Sequence, residues 1–174
     1  MGRCSIRAAS CRFWFTATLK KNTASETFAS AESGIDAEKL IHQKHSGRHI
    51  LVVDDDPMNL EVAQIFLEAL GLVVEIAEDG EKGVNKARKN AYALIIMDMQ
   101  MPKLNGLDAT RAIRKLRGHQ KTPILAMTAN AFAEDKANCF AAGMDDFLTK
   151  PFEPKQLFAC LLKWLEFEEK QRNK

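Results

Sequence analysis

The sequence has no apolar run near about eighteen residues, so no segment reads as a membrane span. It has little excess of either charge, with a formal net charge of +2. That excess is unevenly placed. Residues 1–49 carry eight Lys and Arg against four Asp and Glu, and residues 50–174 carry seventeen against nineteen. The regular part of the chain therefore offers no basic patch, which argues against a nucleic-acid partner. Cysteine is scarce, and Cys4, Cys11, Cys139 and Cys160 have no close metal-type spacing. This argues against a clustered-cysteine metal site and fits free thiols in a reducing cytoplasm. No glycine-rich loop follows the first strand-like run, so the phosphate cradle of a nucleotide or flavin binder is missing. The start Met1-Gly2-Arg3-Cys4 has basic residues but no continuous apolar core, and makes a poor signal peptide.

What is present begins with 46% hydrophobic residues in 174, enough for one ordinary domain plus an appendage. Four short apolar runs each end in a chemically useful residue. Ile50–Val53 leads into Asp54-Asp55-Asp56, and Ala93–Met97 leads into Asp98. Pro123–Met127 leads into Thr128, and Asp146–Thr149 leads into Lys150-Pro151. Such runs, separated by helical patterns, read as buried parallel strands. Asp56-Pro57 is a good helix start, with an oxygen at the N-cap and proline in the first turn. Val62, Ile65, Phe66 and Ala69 then mark one helical face, and Gly71 ends it.

The expected elements are strands at 50–53, 73–77, 93–97, 124–127 and 147–149. The helices between and after them are expected from 57 to about 70, at 81–89, 106–116 and 134–142, and from 154 to about 167. Five βα units with right-handed crossovers imply an α/β, doubly wound, flavodoxin-like five-stranded parallel sheet in the order 2-1-3-4-5, with helices on both faces. Its switch point lies between the strands that end at Asp55 and Asp98.

Chemistry in such a sheet collects at the carboxyl ends of the strands. Close carboxylates there repel one another, and a divalent cation offsets that cost. Mg²⁺ suits the site because it takes oxygen ligands, needs few carboxylates and keeps water. Asp55 and Asp98 are expected as direct ligands, Asp54 through water, and the backbone carbonyl of Gln100 as the remaining protein ligand. A carboxylate can attack phosphorus to give an acyl phosphate. Lys150 supplies a mobile positive charge for phosphoryl oxygens, and the Thr128 hydroxyl supplies a hydrogen bond.

The stretches Ile50–Asp55, Met97-Asp98-Met99-Gln100-Met101-Pro102 with Gly106, Met127-Thr128-Ala129-Asn130-Ala131, and Phe147-Leu148-Thr149-Lys150-Pro151-Phe152 together resemble the receiver domain of two-component response regulators. The resemblance covers about residues 48–168. It implies that Asp98 accepts a phosphoryl group from a phosphohistidine and that Asp54 and Asp55 hold Mg²⁺. Thr128 and Phe147 match the switch pair, Lys150 matches the family lysine, and Lys150-Pro151 matches a bond that is usually cis. Asp98-Met99-Gln100-Met101-Pro102, Thr128–Ala131 and Gly143-Met144-Asp145-Asp146 look most like receivers attached to hybrid sensor histidine kinases.

The resemblance implies a phosphorelay switch rather than a turnover enzyme, with only self-catalysed phosphotransfer and dephosphorylation. Its partner is a histidine kinase or a histidine phosphotransfer protein. The readout surface is formed by the helix at 134–142, the strand at 147–149 and the last helix, which can also serve a homodimer. Residues 1–21 contain Phe13–Leu19, similar to the last strand of a kinase ATP-binding domain. Residues 22–47 read as a linker with one weak helix near Ala37–Gln43, residues 48–168 as the receiver, and 169–174 as a charged tail.

Two rivals remain from the residues alone. An aspartate-nucleophile phosphohydrolase would use Asp54 and Asp56, but it leaves the Asp98 motif unexplained and no room for a cap domain. A flavodoxin-like nucleotide or flavin binder lacks its glycine loop. His42, His45, His49 and His119 read as solvated, and Cys139 and Cys160 as packing residues. The last helix carries apolar residues on more than one face, at Leu157, Phe158, Cys160, Leu161, Leu162, Trp164 and Leu165. Its surplus face either meets a partner or is covered by the preceding segment folding back.

Overall fold

The computed structural model describes residues 33–129, 133–151 and 153–172. Five strands form one parallel sheet: β1 (His49–Val53), β2 (Val73–Ala77), β3 (Leu94–Asp98), β4 (Ile124–Thr128) and β5 (Asp146–Thr149). They lie in the order β2-β1-β3-β4-β5, the doubly wound order expected. Among the described residues there are six helices: α1 (Ser33–His45), α2 (Pro57–Ala69), α3 (Gly80–Lys89), α4 (Gly106–Arg114), α5 (Ala133–Ala142) and α6 (Pro154–Arg172). Because α1 precedes the sheet, the helices of the five βα units are α2 to α6.

The central strands β1, β3 and β4 are apolar along nearly their whole length because both faces of the sheet are covered there, whereas edge strand β2 carries Glu75 and is partly exposed. Alternate residues of a strand point to opposite faces. Ile50 and Val52 of β1, Leu94 and Ile96 of β3, and Leu125 and Met127 of β4 meet Leu60 and Leu67 of α2 and Leu157, Leu161 and Leu165 of α6. Leu51, Val53, Ile95, Met97, Ile124 and Ala126 meet α3, α4 and α5 through Val84, Ala87, Ala109, Ile113 and Cys139. All four apolar residues of β1 from Ile50 to Val53 are fully buried. Each such side chain contributes about 1.5–3 kcal/mol through burial, so one polar replacement would be severe.

Side-chain caps set the helix starts that surround the sheet's carboxyl end. Asp56 Oδ1 accepts from the Met58 amide at 2.9 Å. Asp79 Oδ1 accepts from the Lys82 amide at 2.7 Å, and Asn105 Oδ1 from the Asp108 amide at 2.8 Å. Each cap is worth about 1 kcal/mol. Gly106 starts α4 against the backbone of Asp98, and a Cβ there would lie 2.0 Å from the Asp98 carbonyl oxygen. The glycine of the Asp98 motif is therefore a requirement of close approach.

The amino-terminal boundary differs from expectation. The weak helix expected at 37–43 runs from Ser33 to His45 and packs on α6. Ala37, Ile41 and His45 lie on one face, all buried, and Ile41 joins the core containing Leu157, Leu161 and Leu165. Ser46 Oγ donates to the Gly71 carbonyl at 3.2 Å, and the Gly47 amide donates to it at 2.7 Å. Arg48 and Glu168 form an ion pair between the start of β1 and the end of α6. Residues 33–47, read as linker, thus belong to the packed unit, and they cover part of the surplus apolar surface of α6. That helix also continues to Arg172, into the expected tail.

Two of the histidines expected in solvent are buried, His45 and His119. The His119 ring is held between Thr122 Oγ1 and the Asn90 carbonyl oxygen, each at 3.1 Å. His45 is covered because α1 docks. Cys139 is buried, as expected of a packing residue. Burial and then the Asp146 carboxylate push the Cys160 thiol up to about 12, so it stays protonated and unreactive. The strand expected at Phe13–Leu19 lies outside the described residues, as do Asn130, Ala131 and Phe152.

Candidate functional site

The carboxyl ends of β1 and β3 meet where the chain turns to opposite sides of the sheet. Strand pairing sets Val53 beside Met97, which places Asp54 and Asp98 on neighbouring strand ends. One oxygen each of Asp54, Asp55 and Asp98 falls within 4.8 Å of the others, the one such acidic group among the described residues. Asp54 is fully buried and Asp98 nearly so, while Asp55 is exposed. At that spacing two carboxylates repel by about 3 kcal/mol at an effective dielectric near 20. The fold must supply positive charge.

Lys150 supplies it. Its Nζ donates to Asp54 Oδ2 at 2.5 Å and to Asp98 Oδ2 at 2.8 Å. The side chain reaches inward, with 19% of its surface exposed. Burial pulls the ammonium's pKa down, but the hydrogen bonds to Asp54 and Asp98 outweigh this and hold it above the ordinary lysine value. Asp98 is pushed above the ordinary carboxyl value by burial, with the neighbouring Asp54 charge adding to it and Lys150 opposing. Three carboxylates and one ammonium leave a formal charge of −2. All donors besides Lys150 are oxygens, the set a hard divalent cation prefers.

The other oxygens of Asp54 and Asp98 are also engaged. Asp54 Oδ1 accepts from the Asp56 amide at 2.9 Å and from Asn59 Nδ2 at 3.2 Å. Asp98 Oδ1 accepts from the Gln100 amide at 3.3 Å. Asp56 itself is turned away to cap α2. The loop after Asp98 is pinned by Lys103, whose ammonium lies 3.0 Å from Asp79 Oδ2. Asp79 is held below the ordinary carboxyl value by the Lys82 amide first and then by Lys103.

Thr128 ends β4, largely buried, and its carbonyl accepts from the Lys150 amide at 2.7 Å. The two residues are thereby fixed at the ends of adjacent strands. The Lys150-Pro151 bond is cis. Phe147 stands apart from the acidic group. It lies half-buried on β5 against the core facing α3 to α5, with the Lys136 ammonium 4.2 Å from its ring centroid. Among the expected residues, Asp54, Asp55, Asp98 and Lys150 form one cluster. Thr128 joins through the backbone, Gln100 through its amide, and Phe147 through the sheet.

Asn59 and the surroundings of Asp146 were not anticipated. Asp146, at the start of edge strand β5, accepts from Lys163 Nζ at 2.7 Å and Trp164 Nε1 at 2.8 Å, tying β5 to α6. A polar residue in the first turn of α2 was the available signal for Asn59. Nothing local marked the Asp146 contacts. On α2, beside the acidic group, Met58, Val62 and Ile65 form an exposed apolar stripe at helical spacing.

Residues 50–162 match the family model of the response regulator receiver domain. The chain is 43% identical over 118 residues to sensor protein GacS of Pseudomonas syringae pv. syringae, covering 66% of this chain and 13% of that protein. It is 38% identical over 115 residues to the signal transduction histidine-protein kinase BarA of Escherichia coli (strain K12), covering 66% of this chain and 12% of that one. The chain thus spans 12–13% of the length of these relatives. Among solved structures, the receiver domain of sensor histidine kinase PA1611 from Pseudomonas aeruginosa PAO1 is 40% identical with a TM-score of 0.66. The match covers 70% of this chain and 99% of that one, whose structure has a magnesium ion coordinated in the active-site cleft. A CheY-like receiver domain protein from Methanospirillum hungatei JF-1 is 29% identical, with a TM-score of 0.68, and the match covers 72% of this chain and 99% of that one.

Proposed function

This chain belongs to the response regulator receiver domain family, and we propose that Asp98 is its phosphoacceptor in a histidine-to-aspartate phosphorelay. The observation that carries this reading is the Lys150 ammonium bridging Asp54 and Asp98 at the sheet's switch point. In the transfer, the phosphorus–nitrogen bond of a phosphohistidine breaks as a bond forms between phosphorus and an Asp98 carboxylate oxygen. The departing imidazole takes a proton from solvent. Asp55, Asp98 and the Gln100 backbone carbonyl, with Asp54 through water, would hold Mg²⁺, which would supply neutralisation of charge on the approaching groups.

Lys150 leaves Asp54 in this step and follows the transferred phosphoryl oxygens. The Thr128 hydroxyl donates to the same oxygens. Since Thr128 and Lys150 share a backbone hydrogen bond, their displacement is felt together in β4 and β5, and Phe147 on β5 carries it to the α5–β5–α6 face. A local charge event then biases a surface that a partner or a second copy reads. The chain acts as a switch, with turnover limited to its own phosphoryl group.

The partner is a helical, histidine-bearing protein, either a histidine kinase or a histidine phosphotransfer protein. The exposed Met58, Val62 and Ile65 stripe supports this, because it lies on the helix that starts beside the acidic group. The relatives suggest a hybrid kinase as the parent, with residues 1–21 a remnant of its ATP-binding domain. The phosphohydrolase reading is disfavoured by Asp56, whose carboxylate caps α2 instead of facing the pocket. Incubation with a radiolabelled phosphohistidine protein and Mg²⁺ tests the proposal. The label is expected to move to this chain and to fail with Asp98→Asn. Transfer to the Asp98→Asn chain at the native rate would reject it.

A further inference from the structure

We propose that Asn59 is a positioning residue of the acidic site: its side-chain amide fixes the Asp54 carboxylate and thereby sets how tightly the site takes Mg²⁺. The inference rests on the reading of Asp54, Asp55 and Asp98 as the metal site.

Asp54 is fully buried, so every lone pair lacking a partner is costly. Its two oxygens are used differently. Oδ2 faces the pocket and meets Lys150 Nζ at 2.5 Å. Oδ1 faces away and is held twice, by the Asp56 amide at 2.9 Å and by Asn59 Nδ2 at 3.2 Å. The Lys150 contact is temporary in the proposed reaction, since the ammonium must follow the phosphoryl group. The Oδ1 contacts need not change. They keep Oδ2 aimed at the pocket after Lys150 leaves.

The two donors on Oδ1 are not equivalent. The Asp56 amide belongs to the loop that Asp54 itself continues. Asn59 stands on α2, whose inner face is packed on the sheet through Leu60, Ala63 and Leu67. Asn59 therefore ties the carboxylate to a rigid element, and it is half-buried at the pocket's edge. An amide is suited to this place. It donates without adding charge, where a carboxylate would repel Asp54 and a lysine would compete with the metal. Partners that orient a metal-binding carboxylate typically change metal affinity by about 10–100-fold when removed. One hydrogen bond of two belongs at the lower end.

The test is calorimetric titration of the full chain with Mg²⁺ alone, for the native protein, Asn59→Ala and Asn59→Leu. Leucine keeps the volume and removes the donor. Both variants are expected to bind Mg²⁺ about tenfold more weakly, with metal-free melting temperatures lowered modestly in both, since each loses one of the two hydrogen bonds to Asp54 Oδ1. The labelling rate with a small phosphodonor should fall at low Mg²⁺ and recover at saturating Mg²⁺, a split that lost packing would not produce. Native affinity in both variants would overturn the role of Asn59 while leaving the metal site standing. Weakened binding in Asn59→Ala but not in Asn59→Leu would overturn it in favour of packing. Absence of Mg²⁺ binding by the native chain would overturn the site reading itself.

Discussion

Lys150 and Asp98 are joined by a 2.8 Å hydrogen bond between residues 52 positions apart in the chain. The same ammonium holds Asp54 at 2.5 Å, so one side chain bridges both buried carboxylates of the pocket and offsets one of their two charges. Lys150→Ala should therefore expose their repulsion. We expect the variant to lose about 1–3 kcal/mol of stability in chelator, less than the cost of breaking a fully buried pair because the lysine is partly solvated. Mg²⁺ should restore most of it. Denaturant titrations with and without Mg²⁺ measure this, and equal losses in both conditions would show that Lys150 acts by packing.

The docking of α1 rests on Ile41, which is fully buried. Ile41→Ala should weaken α1 by about 2–4 kcal/mol, enough to detach it from α6. Trp164 sits on α6 among the partly buried residues of that core, so its fluorescence should shift. Trp14→Phe is the proper background because Trp14 is the second fluorophore. Labelling with a small phosphodonor should continue at the native rate, as it should in a chain starting at Arg48. Loss of labelling in either would make α1 part of the reaction machinery.

His45 makes the same docking sensitive to acid. Burial first, and then the Arg48 charge, lower its pKa below the ordinary histidine value of 6.5; Glu169 and Glu166 oppose this and Lys44 adds to it. A depressed folded pKa means that the unfolded state binds the proton more readily. The stability contribution is complete above the ordinary histidine pKa and is lost as pH falls below it. Melting curves between neutral pH and mild acid should show a decline that His45→Leu removes. An unchanged slope in that variant would assign the decline to other groups.

The exposed apolar stripe on α2 separates partner transfer from the chemistry itself. Val62→Lys and Ile65→Lys lie on the helix surface, outside the acidic group. They should slow transfer from a phosphohistidine protein at least about tenfold, since anchor residues at an interface are worth about 1–2 kcal/mol or more. Labelling by a small phosphodonor should be unchanged. Equal effects on both reactions would indicate a damaged fold.

Much of this was legible in the chain because a parallel sheet buried on both faces leaves few residue choices. Ile50–Val53 and Leu94–Met97 could be little else than strands, and their ends then had to converge. That placed Asp54, Asp55, Asp98 and Lys150 together from order alone. What escaped depended on surfaces supplied from far along the chain. Ile41 is buried only because Leu161 and Leu165 lie on a helix about 120 residues later, and that same docking encloses His45. The Asn59 contact reaches back across the helix cap, where a polar residue in a first turn has no distinctive pattern. The cation over Phe147 comes from Lys136 on a separate helix, which no local spacing reveals.

Intact-mass measurement after incubation with Mg²⁺ and acetyl phosphate tests the central claim most directly. The account predicts addition of one phosphoryl group, located at Asp98, absent in Asp98→Asn and absent in excess chelator. A mass gain that persists in Asp98→Asn, or that forms at an unchanged rate in chelator, would contradict it.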